Sequence, residues 1–482
     1  MKWLFCILAL VPLPALAYNE AVHAFVTRRA LSGPEFSDVL QPPTQADLDA
    51  FREAFARASG RPLRDAYEFK ELLMLDPAAQ VHGFDLTPDD AQPMTRGELL
   101  EKASRWPDDD GRNRNRFFRD ARREVVRAED GSPIPYDPAT LDFGGLTGTT
   151  SQGHAHYGLV SEPLSSDPKV LKKEPWRFAV PATAHAYGPE FVRIYTELAQ
   201  LAGESGLASG PWLQAVFAGA AFHHLEDLCN QIHTVQVGIY EFFQAAFVQS
   251  KLQDLKTMGG VLGPRYSLKQ VGLRLIANHH LLSEDLFAKR VAEAQGGAAA
   301  AGGTDRGGAG GADAGAAGGA PNLSRDDPAI HGDLAAAIIQ LSSREAPEAY
   351  RLAWTYSAKS LRDGIHGHEY KDGDDPDQWV SSTKEARAAM DKAYALGWKG
   401  LSRAATAVRA EWGTVKSGTK PALTEEAAML TAYHHAAAER RSKYKPAGPE
   451  TLRIAWGYPI TAALILVVAV YFIARRARRD EE

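Results

Sequence analysis

The chain has 482 residues, and its 54 basic and 60 acidic side chains give a formal charge of −6. This near balance excludes a strong overall attraction to nucleic acid or to an anionic membrane. An apolar fraction of 45% is typical of a globular protein, and the length allows one large domain or two ordinary ones.

The first residues have the pattern of a secretory signal peptide. Lys2 supplies a positive start, the apolar stretch WLFCILALVPL follows, and the triplet ALA provides the small residues of a cleavage site. We predict that residues 1–17 are removed, that the mature chain begins at Tyr18 and that it is exported. One of the two cysteines leaves with this segment, so Cys229 cannot form an internal disulfide.

Between its two ends the chain has a helical pattern. Residues 333–365 and 382–412 place apolar side chains at three- and four-residue spacing, as amphipathic helices do. The Gly/Ala-rich tract at 296–321 buries too little apolar surface to offset chain entropy, so we predict a disordered insertion there. The predicted architecture is an all-α domain over 18–445 that contains this insertion.

The C-terminal region has the pattern of a membrane anchor. Residues 455–474 form an apolar run long enough to cross a bilayer core. Trp456 and Tyr458 lie at one edge, and arginines follow the other edge in the tail 475–482. A buried apolar helix is the alternative, which these flanks disfavour. We predict one transmembrane helix at 455–474, a basic cytoplasmic tail and a domain held outside the cytoplasm.

The stretch HHLEDLCNQIH contains metal-binding residue types at helical spacing. His223 and Asp227 are four residues apart and share one helix face, while His233 follows within reach of a neighbouring ion. Asp227 could therefore contact more than one ion. His224 and Glu226 are predicted to point elsewhere. Taken alone, the pair also fits a polar helix face.

A second pair with the same spacing occurs in NHHLLSEDL. His280 and Glu284 are four residues apart, whereas His279 pairs only with a serine. Imidazole and carboxylate groups are the ligands that hydrolytic zinc sites use. This stretch is therefore a second candidate for metal binding.

Two further stretches offer ligands with alternatives left open. SQGHAHYGL offers His154 or His156, and WPDDD offers Asp108, Asp109 or Asp110. We favour His156 and Asp108 at these two positions.

The predicted mature N-terminus provides another set of ligand atoms. The α-amine of Tyr18 titrates near pH 8, so a zinc ion can displace its proton. Its amine and carbonyl could chelate one zinc ion, and His23, five residues on, could complete that site. Cleavage of the signal peptide would then be required for metal binding.

In order and spacing these motifs resemble the zinc-dependent phospholipase C and single-strand nuclease family. Its members are all-α exported enzymes whose N-terminal residue, usually Trp, binds zinc through its amine and carbonyl. The family then has an Asp, a His followed by an aromatic residue, His-x3-Asp-x5-His, and a final His-x3-Glu or His-x3-Asp. Here Asp108 follows Trp106, and His156 precedes Tyr157.

The resemblance implies three zinc ions with ligands between Tyr18 and Glu284. The first ion would be held by Asp108, His156, His223 and Asp227. The second would be held by His233, His280, Glu284 and water. The third would be held by Tyr18, His23 and a bridging Asp227. The sequence departs from the family in having Tyr for Trp at the N-terminus and Ile232 where Pro is common.

The resemblance implies hydrolysis of phosphate esters, with Asp108 accepting a proton from the attacking water. Glu284 and the membrane anchor favour a phospholipase-C-like enzyme, whereas WPDD and the Tyr18–His23 spacing favour the nuclease branch. The arginine-rich residues 112–127 fit phosphates of nucleic acid or of lipid. We favour an enzyme that acts on phospholipids. A nuclease of the same family is the first alternative, and a non-catalytic binding module stabilised by zinc is the second alternative.

The N-terminal chelate predicts that Tyr18 must carry a free amine. A protein that retains a Met before Tyr18 should bind less zinc, lose most hydrolytic activity and melt at a lower temperature, because bound ligand stabilises the native state. Tyr18→Trp should be tolerated, since the chelating atoms belong to the backbone. Zinc content and hydrolysis of both forms, measured side by side, test this; equal values would contradict the chelate.

Overall fold

The computed structural model describes residues 20–62, 93–105, 107, 156, 158, 169, 188–234, 268–301, 334–362, 370, 374–418 and 423. The predicted signal peptide, the anchor at 455–474 and the tail 475–482 lie outside these residues. Within the described residues no helix is long and apolar enough to cross a membrane.

The described residues are mostly helical, which confirms the predicted all-α class. The α-helices are α1 (Glu20–Ala30), α2 (Gln45–Ser59), α3 (Arg96–Ala103), α4 (Gly188–Glu204), α5 (Gly210–Cys229), α6 (Leu268–Ala301), α7 (Leu334–Tyr356), α8 (Lys359–Arg362) and α9 (Lys384–Ser417). Short 3₁₀ turns lie at Pro34–Phe36, Gln231–His233 and Pro376–Trp379. Two short strands, β1 (Val39–Leu40) and β2 (Met94–Thr95), pair antiparallel.

Helix α6 continues into the Gly/Ala tract and includes residues 296–301. Alanine has the highest helix propensity, which accounts for this extension. The rest of the tract lies outside the described residues.

Helix α5 lies at the centre of the described fold. It is apolar on every side, with Phe217, Phe222 and Leu225 fully buried, as expected for a helix surrounded by others. Helices α1, α3, α4, α7 and α9 pack around it. The last turns of this helix carry His223 and Asp227, which are also fully buried, so they cannot form a solvated polar face.

Helix α3 begins with a capping box that follows strand β2. The Thr95 hydroxyl accepts from the Glu98 backbone N–H, and the Glu98 carboxylate accepts from the Thr95 backbone N–H. This exchange satisfies backbone donors that a helix start leaves open. The cap therefore fixes where α3 begins, and the helix ends at Ala103.

Helices α3 and α5 approach each other closely at Gly219. A Cβ added there would lie 2.9 Å from the carbonyl oxygen of Leu100 and would also collide with the side chain of Ala103. The missing side chain thus permits the contact between the two helices. This contact positions the residues that follow α3 beside the buried end of α5.

Gly219→Ala should destabilise the protein by about 1–3 kcal/mol, because backbone atoms must move to admit the methyl group. Gly413→Ala is the matched control, since that exposed position in α9 has nothing within 4 Å of an added Cβ. The control should stabilise the protein by up to about 1 kcal/mol. Denaturant unfolding measures both changes, and equal stabilisation by the two alanines would contradict the proposed close packing.

Candidate metal centre

The structure gathers the predicted ligands that it describes into one buried region. Seven of the nine fall among the described residues and all are buried: His23, His156, His223, Asp227, His233, His280 and Glu284. Tyr18 and Asp108, with the alternatives Asp109, Asp110 and His154, lie outside the described residues. So does the arginine-rich stretch 112–127.

One group of ligand atoms forms at the end of α5. His223 Nε2 lies 3.2 Å from Asp227 Oδ2, as their spacing on one helix face predicts. His156 Nδ1 lies 2.6 Å from the same oxygen and 2.9 Å from His223 Nε2. Three potential ligand atoms therefore form a small triangle in the interior.

The carbonyl of Ser104 orients one imidazole of this group. His223 Nδ1 lies 2.8 Å from the Ser104 oxygen, which can only accept, so the Nδ1–H donates. The Nε2 lone pair then faces Asp227 and His156. Such a hydrogen bond to the distal nitrogen is typical of histidines that bind metals.

A second group joins the 3₁₀ turn after α5 to helix α6. His233 Nε2 lies 3.2 Å from His280 Nε2 and 3.2 Å from Glu284 Oε1. His280 Nε2 lies 2.9 Å from the same carboxylate oxygen. The turn is held in place by Tyr350, whose hydroxyl donates to the Ile232 carbonyl at 3.1 Å.

Asp227 links the two groups and reaches the N-terminal helix. Its Oδ2 belongs to the first group, whereas Oδ1 lies 3.5 Å from His23 Nε2 and 3.6 Å from His233 Nδ1. A single buried carboxylate thus faces histidines from α1, from the segment at His156, from its own helix and from the following turn. The sequence analysis predicted that Asp227 is a bridging ligand, and its position between these histidines suits that role.

The two groups fit metal ions by chemistry and by size. A tetrahedral zinc ion with ligands at about 2.0–2.1 Å separates neighbouring ligand atoms by about 3.3 Å. The corresponding separations are 2.6–3.2 Å in the first group and 2.9–3.2 Å in the second. Nitrogen and carboxylate oxygen are ligands that zinc accepts. These buried residues could therefore hold metal ions.

Burial favours the neutral form of the histidines. It holds the pKa of His23 well below the ordinary value and lowers the pKa of His156 and of His233. A neutral imidazole has the lone pair that a metal ion requires. The site is therefore prepared to bind a cation without first losing protons from these rings.

The two carboxylates of the site differ in their environment. Burial raises the pKa of Glu284 to about 8, and its accepted hydrogen bond from His233 only partly opposes this. Burial also opposes ionisation of Asp227, but the contacts with His223 and His156 outweigh it and hold that pKa well below the ordinary range. A cation bound beside Glu284 would favour its ionised form.

Glu226, which was predicted to point elsewhere, lies on a different face of α5 from His223 and Asp227, but that face also borders the site because it contacts His23. Its carboxylate is fully buried and accepts from His23 Nδ1 at 2.6 Å and from the Thr27 hydroxyl at 2.9 Å. The reason is that α1 packs over this face of α5. A Glu within an otherwise apolar helix was the signal in the sequence, because a buried carboxylate requires partners.

His224 also lies closer to the site than its position on the helix suggested. A ring nitrogen falls within 4.8 Å of the ligand atoms of His156, His223 and Asp227. Its ring stacks on Tyr195 at 5.6 Å and 4°, in the interior beside α4. Its two ring nitrogens have no hydrogen-bond partner among the described residues, so His224 is a further candidate ligand of the first group.

Other predicted features have ordinary structural roles. His279 stacks on Trp354 at 5.2 Å and 20°, which leaves His280 as the member of the pair that faces Glu284. Cys229 is buried, and burial raises the pKa of its thiol to about 12, as expected for a structural cysteine. The hydroxyl of Tyr370 donates to Asp285 at 2.7 Å.

A half-open pocket adjoins the second group. Glu284 and Asn230 form part of its wall, and most of the remaining lining is apolar, including Leu286, Met390 and Leu396. Asn230 donates to Glu284 Oε1 at 3.3 Å, which ties the wall of the pocket to the ligand group. Glu284 lines this pocket but is only 4% exposed, so it is a buried part of the wall.

No family model, curated protein or solved structure matches this chain.

Asp227→Asn should reduce metal binding at more than one position, because Asp227 is the carboxylate that faces both groups and His23. Zinc per chain, measured by metal analysis, should fall by more than one ion relative to the unaltered protein. Asp285→Asn is the control, since Asp285 follows a ligand directly but accepts from Tyr370. Equal zinc loss in both variants would show that general destabilisation, not ligand loss, is responsible.

Proposed function

We propose that the protein is a zinc-dependent phosphoric ester hydrolase, most similar in action to phospholipase C and acting on phospholipids. The observation that carries the proposal is the pair of His/carboxylate groups joined through Asp227. This arrangement is similar to the ligand pattern of the zinc-dependent phospholipase C and nuclease family that the sequence resembles. Three zinc ions are part of the proposal, with Tyr18 and Asp108 supplying the remaining protein ligands.

Each residue of the site has a specific task in this proposal. Zinc, when bound, would make water a nucleophile near neutral pH and offset negative charge on the phosphate. Asp227 holds His23, His156 and His223 around one carboxylate, and the Ser104 carbonyl fixes the orientation of His223. Asp108 would accept the proton of the attacking water, a role that the family resemblance implies.

One observation and one prediction favour a lipid substrate. The pocket beside Glu284 is lined mainly by apolar side chains, among them Leu286, Met390 and Leu396, which suits the hydrocarbon part of a phospholipid. The predicted anchor at 455–474 would keep the domain at a membrane surface.

A single-strand nuclease is the second candidate. It is favoured by His23, which follows Tyr18 at the nuclease spacing and faces Asp227 Oδ1 at 3.5 Å. A non-catalytic binding module held together by zinc is the remaining alternative. It shares the metal site but predicts no turnover of any phosphodiester.

The substrate test offers the purified protein, with zinc present, phosphatidylcholine vesicles and single-stranded DNA in parallel. We expect release of the phosphorylated head group, zinc-dependent and abolished by a chelator, with little cleavage of DNA. Metal analysis of the same sample should give three zinc ions per chain. Cleavage of DNA alone would support the nuclease, and turnover of neither substrate would support the binding module.

Two adjacent histidines provide a matched pair of variants. His280→Phe removes a residue of the second ligand group, so hydrolysis should fall by at least about 100-fold, the scale expected when a metal ligand or its support is lost. His279→Phe retains the stacking on Trp354 and should keep most of the activity. Hydrolysis rates and zinc content are compared at equal folded protein; similar losses in both would contradict the assigned helix face.

A further inference from the structure

A buried carboxylate joins helix α1 to helix α5 through two hydrogen bonds. Glu226 Oε2 accepts from His23 Nδ1 at 2.6 Å, and Oε1 accepts from the Thr27 hydroxyl at 2.9 Å. His23 and Thr27 are four residues apart, so they lie one turn apart on the same face of α1. Both oxygens of one carboxylate are therefore used to hold that face.

The position of Glu226 is unfavourable without these partners. The carboxylate is fully buried. An unpaired buried carboxylate is strongly destabilising, whereas hydrogen bonds from N–H and O–H groups offset that cost. A cation held on the far side of His23 would offset it further. The buried Glu226 carboxyl group is therefore more stable beside a bound metal ion than among apolar groups alone.

The contact with Glu226 determines which nitrogen of His23 faces the metal centre. Because Nδ1–H donates to Glu226, the lone pair of the neutral ring is on Nε2, which lies 3.5 Å from Asp227 Oδ1. The His23 ring also packs against His223, with ring centroids 4.1 Å apart. A rotated His23 would therefore disturb the neighbouring ligand as well as its own site.

We propose that Glu226 is a positioning residue for a metal ion bound at His23, and that Thr27 holds Glu226 in that role. The inference deepens the proposed metal centre and rests on it. His223 receives the corresponding support from a neutral carbonyl, that of Ser104. A full carboxylate makes the His23 imidazole a more basic ligand. The metal ion at His23 thus depends on a hydrogen-bonded carboxyl group that lies outside its own ligand set.

The chain contains a matched control for a buried Thr–Glu contact. Thr196 on α4 donates to the carboxylate of Glu411 on α9, and both residues are buried. This pair likewise joins two helices, but it has no contact with the metal-binding groups among the described residues. Its loss should affect folding stability alone.

The experiment measures zinc affinity of the purified full chain by competition with a chromophoric chelator. Glu226→Gln preserves shape but replaces one acceptor oxygen with an N–H₂ donor, so the side chain cannot accept from both His23 and Thr27 through two oxygens. One bound ion should therefore lose about 10–100-fold in affinity while the others keep theirs. Thr27→Val should weaken the same ion less, and Thr27→Ser should restore it. Glu411→Gln should lower the melting temperature without changing any zinc affinity.

The possible outcomes separate this inference from the proposed function. If the unaltered protein binds no zinc, the metal centre and the role of Glu226 are both overturned. If it binds zinc and Glu226→Gln binds every ion as tightly, only the role of Glu226 is overturned. A loss of affinity in Glu411→Gln equal to that in Glu226→Gln would show that the effect is structural and would likewise reject the positioning role. Selective loss of one ion, with rescue by Thr27→Ser, supports it.

Discussion

The burial of the Asp227 carboxylate is the constraint on which the site depends. A carboxylate in an apolar interior requires partners. Its Oδ2 lies within hydrogen-bond distance of His156 and His223, whereas Oδ1 has no hydrogen-bond partner among the described residues and lies 3.5 Å from His23 Nε2 and 3.6 Å from His233 Nδ1. Those imidazoles come from parts of the chain far apart in sequence, including His23 and His156. The fold therefore has to bring several elements to the end of α5 at once. A cation bound among these groups would offset the negative charge of the Asp227 carboxylate.

The architecture of the described core follows from this requirement. Helix α5 is enclosed by other helices, which removes water from Asp227 and makes its contacts with neighbouring residues stronger. Close approach at Gly219 brings α3 against it, so that the Ser104 carbonyl reaches His223. On the opposite side the 3₁₀ turn Gln231–His233 redirects the chain, and His233 faces both Asp227 and Glu284. The same contacts therefore pack the helices together and position the candidate metal ligands.

Local spacing in the sequence predicted the contacts made within a helix. His223 with Asp227 and His280 with Glu284 are each one helical turn apart, and both pairs form as expected. The all-α class followed equally from apolar periodicity. The contact of His156 with Asp227 spans 71 residues, and no local pattern can provide that pairing. It was suggested only by the resemblance to a family with a similar order of ligands.

Glu226 shows where reasoning from one helix fails. An i, i+4 analysis places it away from His223 and Asp227, and it does point to another side of α5. That side is not solvent, because α1 covers it and supplies His23 and Thr27. On a helix buried all round, every face has a neighbour, so a polar residue on any face is a candidate for the site. The rule that polar residues face solvent applies only to a helix that has a solvent-exposed face.

The hydrogen bonds of Glu226 with His23 and Thr27 also affect where the predicted mature N-terminus could lie. Glu20, the first residue of α1, is only two residues after Tyr18, so the α-amine can lie no more than about 7 Å beyond it. By fixing His23 and Thr27 on α5, Glu226 sets both the rotation and the position of α1 over the site. It therefore limits where a chain end two residues before α1 could lie. A ligand at a free chain end loses more conformational entropy on binding than one within a helix. Because Glu226 anchors the start of α1, less conformational entropy would be lost when a ligand just before this helix binds. This is a physical reason for a buried carboxylate at Glu226.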